Sequence, residues 1–585
     1  VSSAMLTRVG DEHMGRFVRE ELARQGVDVS HVRTDPSRLT ASVVLGVGAG
    51  GDIPHIFFRE RCADMGLDAD DVDEDFIASA RLLAITGTHL SSASTRTAVK
   101  KSIRLARRNG TRVLLDIDYR PVLWGLARAG DGASRYVESS EITRVLGDAM
   151  RYCDLLVGTE EEIAIAGGSA DLLEALAAVR AKTEAVIVLK RGAQGCVVFE
   201  SGPIPSFDDG LAVPGRDVHV FNTVGAGDGF LAGFLSGWLS GDSWERCGTL
   251  GNACGALVVA RHGCTPAMPS RIELDAYLAR ERPPRRPGDD AALAHLHRAT
   301  TWSDDARPLC VLAFDHRSQF EAVAARHGRP FTDIAEFKNL VADVLLETAP
   351  EAGAALRPGA IVDDRYGRGA LAKLAETDVW VASPVEVPGS RPLELEPPFA
   401  TGSHLLGWPA ARVVKCLVHY HPDDDPDLRH AQEERIRALH AEVVALERRF
   451  LLEVICPDMT CRDGKGGNGA LPRALRRLYN LSVRPDWWKL EPQSADGWKA
   501  VSSVIADCDP HCKGVLLLGL GADAGALSDA LAIAARVPIC RGFAIGRSIF
   551  ADAAEEWFAG TIGDGEARRA IAERYRRLID VWRHA

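Results

Sequence analysis

The sequence predicts an α/β protein in two parts, an open, mostly parallel sheet followed by a second array of β/α units. Three observations carry that reading. Residues 1–280 alternate short apolar runs with stretches of helical spacing, the rhythm of a parallel sheet covered by helices. Residues 306–585 hold eight such runs separated by helix-length segments, which suggests a (β/α)8 TIM barrel. Between them, Glu281-Arg282-Pro283-Pro284-Arg285-Arg286-Pro287-Gly288-Asp289-Asp290 is charged, Pro-rich and free of apolar side chains. Proline denies such a stretch helix or sheet, so 281–305 reads as a linker.

In the first half, residues 81–85, 113–117, 155–157 and 186–189 are the strand candidates. Residues 97–108 and 170–181 have helical spacing between them. Ligands of open parallel sheets bind at the strand C-terminal ends, where the chemistry-bearing polar residues of this half fall. In the second half the strand candidates are 309–314, 360–362, 379–382, 413–418, 450–455, 487–490, 515–518 and 542–545. Nearly all end in polar residues or glycine: Asp315-His316-Arg317, Asp363-Asp364-Arg365, Glu386, His419-Tyr420, Pro457-Asp458, Glu491, Gly519 and Gly546-Arg547. The C-terminal rim is the catalytic face of a TIM barrel.

The 585 residues exceed one domain. With 46% hydrophobic and 26% charged residues the composition is globular, and a net charge of -12 argues against nucleic-acid or anionic-membrane partners. No apolar run is long enough to span a bilayer, and the start lacks a signal-peptide pattern. The 13 cysteines are scattered without a C-x-x-C pair, which argues against a disulfide framework. Cys508, His511 and Cys512 are too sparse a cluster to signal zinc, and no direct protein metal ligand is expected. A cytoplasmic metabolic enzyme with small-molecule partners, free to form homo-oligomers, is the expected class.

The most informative string is Asn222-Thr223-Val224-Gly225-Ala226-Gly227-Asp228-Gly229-Phe230, followed by an apolar helical run. A Gly-rich turn opening a helix aims backbone N–H groups and the positive dipole end at one spot, which suits phosphate. An Asp there can take a proton from a hydroxyl attacking that phosphate. The string resembles the signature of the ribokinase-like (PfkB) carbohydrate kinases, specifically the 5-dehydro-2-deoxygluconokinase type. The resemblance implies a three-layer α/β/α domain using ATP and Mg²⁺, with Asp228 as base and the amides of Gly225, Ala226 and Gly227 as anion hole.

Further strings are similar to the same family. Asp116-Ile117-Asp118-Tyr119-Arg120-Pro121 resembles D-x-N-x-R with Asp118 in place of Asn, and implies that Arg120 faces the substrate or its transferring phosphate. Phe57-Phe58-Arg59-Glu60 implies that Arg59 receives a sugar-acid carboxylate, a task suited to a guanidinium fork. Gly158-Thr159-Glu160-Glu161 resembles N-x-x-E, which carries over only Glu161, toward Mg²⁺ water; Glu160 and Glu162 read as solvated helix-start acids. Lys190-Arg191-Gly192-Ala193-Gln194-Gly195 resembles the nucleotide-side loop, so Lys190, Gly192, Gly195 and, further on, Asn252 are assigned to the nucleotide. The family begins with a strand carrying a sugar-binding Asp and a G-G-x-x-x-N loop, whereas Val1-Ser2-Ser3 matches a point several dozen residues later. The expectation is that the reading frame extends upstream.

In the second half, Lys489 within Trp487-Trp488-Lys489-Leu490-Glu491-Pro492 is a charge inside an apolar strand. Burial favours the neutral amine, which can attack a carbonyl. Six strands into a barrel, the segment resembles the Schiff-base lysine of class I aldolases of the tagatose-bisphosphate type, needing no organic cofactor. Glu453, one strand earlier, is the expected acid/base. Lys415 is a second in-barrel lysine, placed to suppress protonation of Lys489 by like charge. Asp315 stands in a D-H-R string similar to the aldolase D-x-R, and Gly519, Gly546 and Arg547 end strands whose loops often bind phosphate. Trp487 and Trp488 read as core; His419, Tyr420 and His421 are the alternative, a class II metal site.

Together the resemblances imply two consecutive steps of myo-inositol degradation. The kinase would phosphorylate 5-dehydro-2-deoxy-D-gluconate at its 6-hydroxyl, and the barrel would split the product into dihydroxyacetone phosphate and malonate semialdehyde. The alternatives are a non-catalytic phosphosugar-binding barrel, or a first half that is only structural.

Overall fold

The computed structural model describes residues 2–46, 55–128, 136–301, 306–397, 401–456, 469–519, 521 and 524–585. It divides into two compact units, residues 1–303 and 304–585.

The first unit opens with three two-stranded pairs: β1 (Ser3–Ala4) with β3 (Val27–Asp28), β2 (Thr7–Gly10) with β4 (Val32–Asp35), and β5 (Ser42–Leu45) with β6 (His55–Phe58). Its main sheet contains β7 (Leu82–Thr86), β8 (Arg112–Asp116), β9 (Leu155–Thr159), β10 (Val186–Lys190), β11 (Gly195–Phe199) and β12 (Leu211–Pro214), in the order β12-β11-β10-β9-β8-β7. The first four are parallel, as expected. β11 and β12 add an antiparallel edge that the apolar pattern did not single out.

Strand side chains alternate between faces, so each apolar run feeds two cores. Val113, Leu115, Leu156, Ile187 and Leu189 pack with Ile103, Leu146, Ile163 and Leu176 of helices on one side. Leu114, Leu155, Val157 and Val188 pack with Phe230, Phe234 and Cys247 on the other. This is the α/β/α layering that continuous apolar strands require.

Residues 287–300 of the segment expected to be a linker are structured. Pro287–Asp289 forms a 3-10 turn and Ala291–Thr300 an α-helix. Asp290 caps that helix, accepting from Ala292 N at 3.1 Å and Leu293 N at 3.0 Å, and Leu293 is buried with Leu274 and Tyr277. The prolines punctuate, but the cap and one apolar anchor win locally.

The second unit is a closed barrel of eight parallel strands: β13 (Leu309–Ala313), β14 (Arg357–Ile361), β15 (Trp380–Pro384), β16 (Val413–His419), β17 (Phe450–Ile455), β18 (Trp487–Leu490), β19 (Gly514–Leu518) and β20 (Cys540–Ile545). Its interior is plugged by inward residues including Val311, Ile361, Trp380, Val413, Leu451, Trp487 and Leu516. Trp487 meets Trp380 edge-on at 5.5 Å inside the plug. Trp488 points outward, and its indole N–H donates to the Tyr479 hydroxyl at 2.8 Å. One inward step above the plug, the same alternation sets Lys415, Glu453 and Lys489 facing the barrel axis.

No helix among the described residues is long and apolar enough to cross a membrane. The twelve described cysteines are free thiols.

Candidate active sites

In the first unit the helix Ala226–Ser240 starts at Gly225, which is left-handed at φ 79°. Asn222 shapes the turn: its side-chain oxygen accepts from Val224 N at 2.8 Å, and its amide donates to the Arg261 carbonyl. A Cβ on Gly225 would lie 2.6 Å from Cys264 Sγ, so glycine is required for space as well as for backbone. Asp228 follows in the first helical turn, where the leading amides lack intrahelical partners. Burial first, then the Asp118 carboxylate, raise the Asp228 pKa; Lys190 and Arg120 oppose them.

The neighbouring strand ends deliver charges to this turn. Lys190, ending β10, lies 3.1 Å from Asp116 Oδ1 and 3.8 Å from Glu162 Oε2. Its Nζ is 3.6 Å from where a Gly227 Cβ would stand, so it faces the Gly225–Asp228 turn and not solvent. Burial opposes its charge, but Asp116 and Glu162 hold its pKa above the usual lysine value. Asp116, ending β8, is pushed up to about 6, chiefly by burial. Asp118 sits at φ 31°, held by the Thr88 hydroxyl at 3.1 Å and Arg120 Nε at 3.3 Å. Arg59 pairs with Asp64 at 2.5 Å.

In the barrel, the C-terminal mouth encloses a cavity of about 240 Å³. Asp315, Lys415, Glu453, Lys489, Gly519, Gly546 and Arg547 all line it, with His316, Arg317, Glu386 and His419. Lys415 Nζ lies 3.1 Å from Asp315, 2.8 Å from Glu386 and 3.1 Å from Glu453. Glu453 reaches Lys489 with its other oxygen at 3.0 Å. Burial opposes charge at Asp315, Glu386, Lys415 and Glu453. The three carboxylates still hold Lys415 well above its ordinary pKa, and the two lysines hold Glu453 below its own. Lys415 therefore meets Lys489 through a carboxylate, not as the bare like charge expected.

The Gly519 and Gly546 loops come together on one side of the mouth. A Cβ on Gly546 would stand 1.9 Å from the Ala313 carbonyl, so β20 passes too close to β13 for any side chain. The helix Arg547–Phe558 starts there, presenting its N-terminus.

Residues 1–271 match the family described as pfkB family carbohydrate kinase, and residues 273–585 the family described as "Uncharacterized protein conserved in bacteria (DUF2090)". The 5-dehydro-2-deoxygluconokinase of Geobacillus kaustophilus (strain HTA426) is 29% identical over 295 residues, 48% of this chain and 81% of its own. That of Shouchella clausii (strain KSM-K16) is 30% identical over 277 residues, 46% of this chain and 79% of its own. The chain belongs to the pfkB carbohydrate kinases in its first half and to DUF2090 in its second. A solved fructokinase from Vibrio cholerae O395, in fructose, ADP and calcium ion bound form, is 25% identical over 47% of this chain and 85% of that one, with a TM-score of 0.41.

The pfkB half fits ATP and a divalent cation. The turn at Gly225 offers amides and a cationic Lys190 to phosphate, while Asp116 and Glu162 are hard oxygen donors beside it. Mg²⁺ is commonly held by one or two carboxylates and substrate phosphates, keeping several waters.

Some expectations need correction. Glu161 is exposed on the helix Glu160–Gly167, whereas Glu162, taken for a solvated acid, is 8% exposed and faces Lys190. Helix phase is the reason: Glu162 is the third helical residue and folds back to accept from Thr159 N at 2.8 Å. Glu160 pairs with Arg191 at 2.9 Å. The Asn252 amide donates to the Val213 and Pro214 carbonyls, both at 3.0 Å, and fastens the edge strand. Gly195, at φ 96°, opens β11, and Gly192, at φ 55°, belongs to the turn before it. Pro457, Asp458 and Leu520 lie outside the described residues. Glu386 and His316 joined the barrel cluster without a role assigned from sequence; their only signal was position at a strand end.

Replacing Gly225 by Ala should destabilise the first unit by about 1–2 kcal/mol, because a side chain there is strained in the left-handed region and collides with Cys264. Differential scanning calorimetry should show a lower Tm; an unchanged transition would contradict the argument.

Proposed function

We propose that the chain phosphorylates the 6-hydroxyl of 5-dehydro-2-deoxygluconate and then cleaves the phosphorylated product. In the first step Asp228 takes the hydroxyl proton, and the Gly225-Ala226-Gly227 turn with Lys190 steadies the transferring phosphoryl group. Arg59 and Arg120 serve the sugar acid. What supports the substrate is the likeness to two 5-dehydro-2-deoxygluconokinases over most of their length.

For the barrel, the observation that carries the reading is the Lys489–Glu453–Lys415 chain inside a mouth rimmed by Gly519, Gly546 and Arg547. It combines an amine nucleophile with a loop and helix N-terminus suited to phosphate. The kinase product is a β-hydroxy ketone. An imine of Lys489 with its ketone lets the adjacent C–C bond break to an enamine, giving dihydroxyacetone phosphate and malonate semialdehyde.

Incubating the whole chain with ATP, Mg²⁺ and 5-dehydro-2-deoxygluconate, and following ADP and triose phosphate together, tests both steps. The expected result is ADP formation followed by stoichiometric triose phosphate. ADP without triose phosphate, even when the phosphorylated keto acid is added directly, would make the barrel a binding module. No ADP would reject the kinase substrate.

A further inference from the structure

The retro-aldol reading of the barrel, on which this inference rests, leaves open which group handles the proton of the cleaved alcohol. Glu453 is the natural choice from sequence, being beside Lys489. Its surroundings argue otherwise. One oxygen faces Lys489 at 3.0 Å and the other faces Lys415 at 3.1 Å. A carboxylate whose pKa is lowered by the lysines on both sides is a weak proton acceptor. Asp315 is engaged by Lys415 at 3.1 Å, and Glu386 gives Lys415 one oxygen and the Leu417 amide the other, at 2.8 and 3.1 Å. Each carboxylate that lines the described mouth is thus already committed to Lys415.

Two imidazoles remain. His316 follows β13, with its Nδ1 closed off from solvent and its ring edge-on to Phe550 at 5.6 Å. A Cβ on Gly546 would stand 2.9 Å from its Cε1, so it belongs to the Gly546–Arg547 side. His419 ends β16 in the inward set that contains Val413, Lys415 and Leu417, and it lines the cavity. It pairs in register with Ile455, one inward step beyond Glu453. Gln432 fixes its backbone, donating to the His419 carbonyl at 2.8 Å. Among the described residues, none hydrogen-bonds its ring.

Barrel closure then decides which part of a substrate each histidine meets. With eight strands in sequence order, β16 lies four strands from β20, diametrically across the mouth. A phosphate held at Gly546–Arg547, with its ketone at Lys489 on β18, extends its remaining carbons toward β16. We propose that His419 is a catalytic residue of the barrel, accepting the proton of the β-hydroxyl as the carbon–carbon bond breaks. The O–H proton moves to the imidazole, and the carbinol carbon becomes an aldehyde. The electron pair of the broken bond passes into the iminium to give the enamine. The enamine carbon is then protonated, and water hydrolyses the iminium to release the ketone. The groups that face His419 agree with this role: burial chiefly, with Arg391 and Lys415, keep the imidazole pKa below its usual value, and Glu453 opposes them. A neutral imidazole near pH 7 is the form that accepts a proton.

The test uses the whole chain, His419→Gln and His419→Asn, with dihydroxyacetone phosphate as probe. Lys489 is assayed by borohydride trapping, and enamine formation by exchange of the probe's C3 proton with deuterated water; neither needs the β-hydroxyl. Both variants should keep trapping and exchange while losing cleavage of the phosphorylated keto acid by at least about 10²-fold. Cleavage at the wild-type rate in either variant would overturn the proposal, and so would equal loss of exchange and cleavage. If neither variant traps the probe, the wild-type pH profile decides. An acid limb in cleavage that is absent from exchange supports the base, and identical limbs reject it. Wild-type chain that neither traps nor exchanges the probe refutes the retro-aldol reading itself, a separate failure.

Discussion

Asp228→Asn is expected to lower ATP-dependent phosphorylation by on the order of 10²–10⁴-fold, the usual contribution of a positioned acid–base group. The substitution keeps shape and burial but cannot accept a proton. It leaves the Gly225 turn and Lys190 in place, so ATP affinity should change little. Cleavage of added phosphorylated keto acid should be unaffected, since the barrel residues are in the other unit. The pH profile gives a second measure. The carboxyl must be ionised to act, and burial and Asp118 raise its pKa, so the acid limb should lie above the ordinary carboxylate value of about 3.9. Asp118→Asn removes one cause of that rise and should move the limb to lower pH. Steady-state kinetics from pH 4 to 8 checks both statements; phosphorylation at the wild-type rate in Asp228→Asn would eliminate Asp228 as the base.

Lys489→Met is expected to take triose phosphate release below detection and to abolish borohydride incorporation. Methionine fills similar volume but has no amine. The fold should tolerate the change, because Glu453 keeps Lys415 at 3.1 Å. Lys415→Met makes the contrast. It would leave Asp315, Glu386 and Glu453 buried together without the cation they share, a change that should cost about 3–5 kcal/mol. Thermal melts and peptide mapping after reduction separate the two lysines. Label on Lys415 instead of Lys489 would reverse their roles, and metal-chelator inhibition with both lysines unlabelled would favour metal chemistry.

The parallel strands of both units were legible because fully buried strands read as continuous apolar runs: each candidate at 413–418, 450–455 and 487–490 overlaps a barrel strand. The antiparallel edge β11–β12 was not: β11 folds straight back on β10, and β12 is a four-residue strand that buries only Val213, so neither stands out as a separate apolar run. The Gly225–Asp228 turn was legible because its chemistry is local, made of a left-handed glycine and helix amides within a few residues. Glu162 was misjudged because a helix turns about 100° per residue, and one step decides between solvent and site. In the barrel, Lys489 was visible as a charge in an apolar strand, but its environment was not. Asp315, Glu386 and Glu453 are up to 138 residues apart in the chain and meet at Lys415 only when the barrel closes (453 − 315 = 138).

Sequence alone determined the α/β class and the turn at Asp228. It also placed Lys489 inside a strand. Those features depend on spacing and on residues close together along the chain. Tertiary structure decided which carboxylates surround Lys415, that Lys190 faces the Gly225–Asp228 turn, and that His419 stands opposite the Gly546 rim. Such relations are set by sheet register and barrel closure, which bring together groups that no local pattern connects.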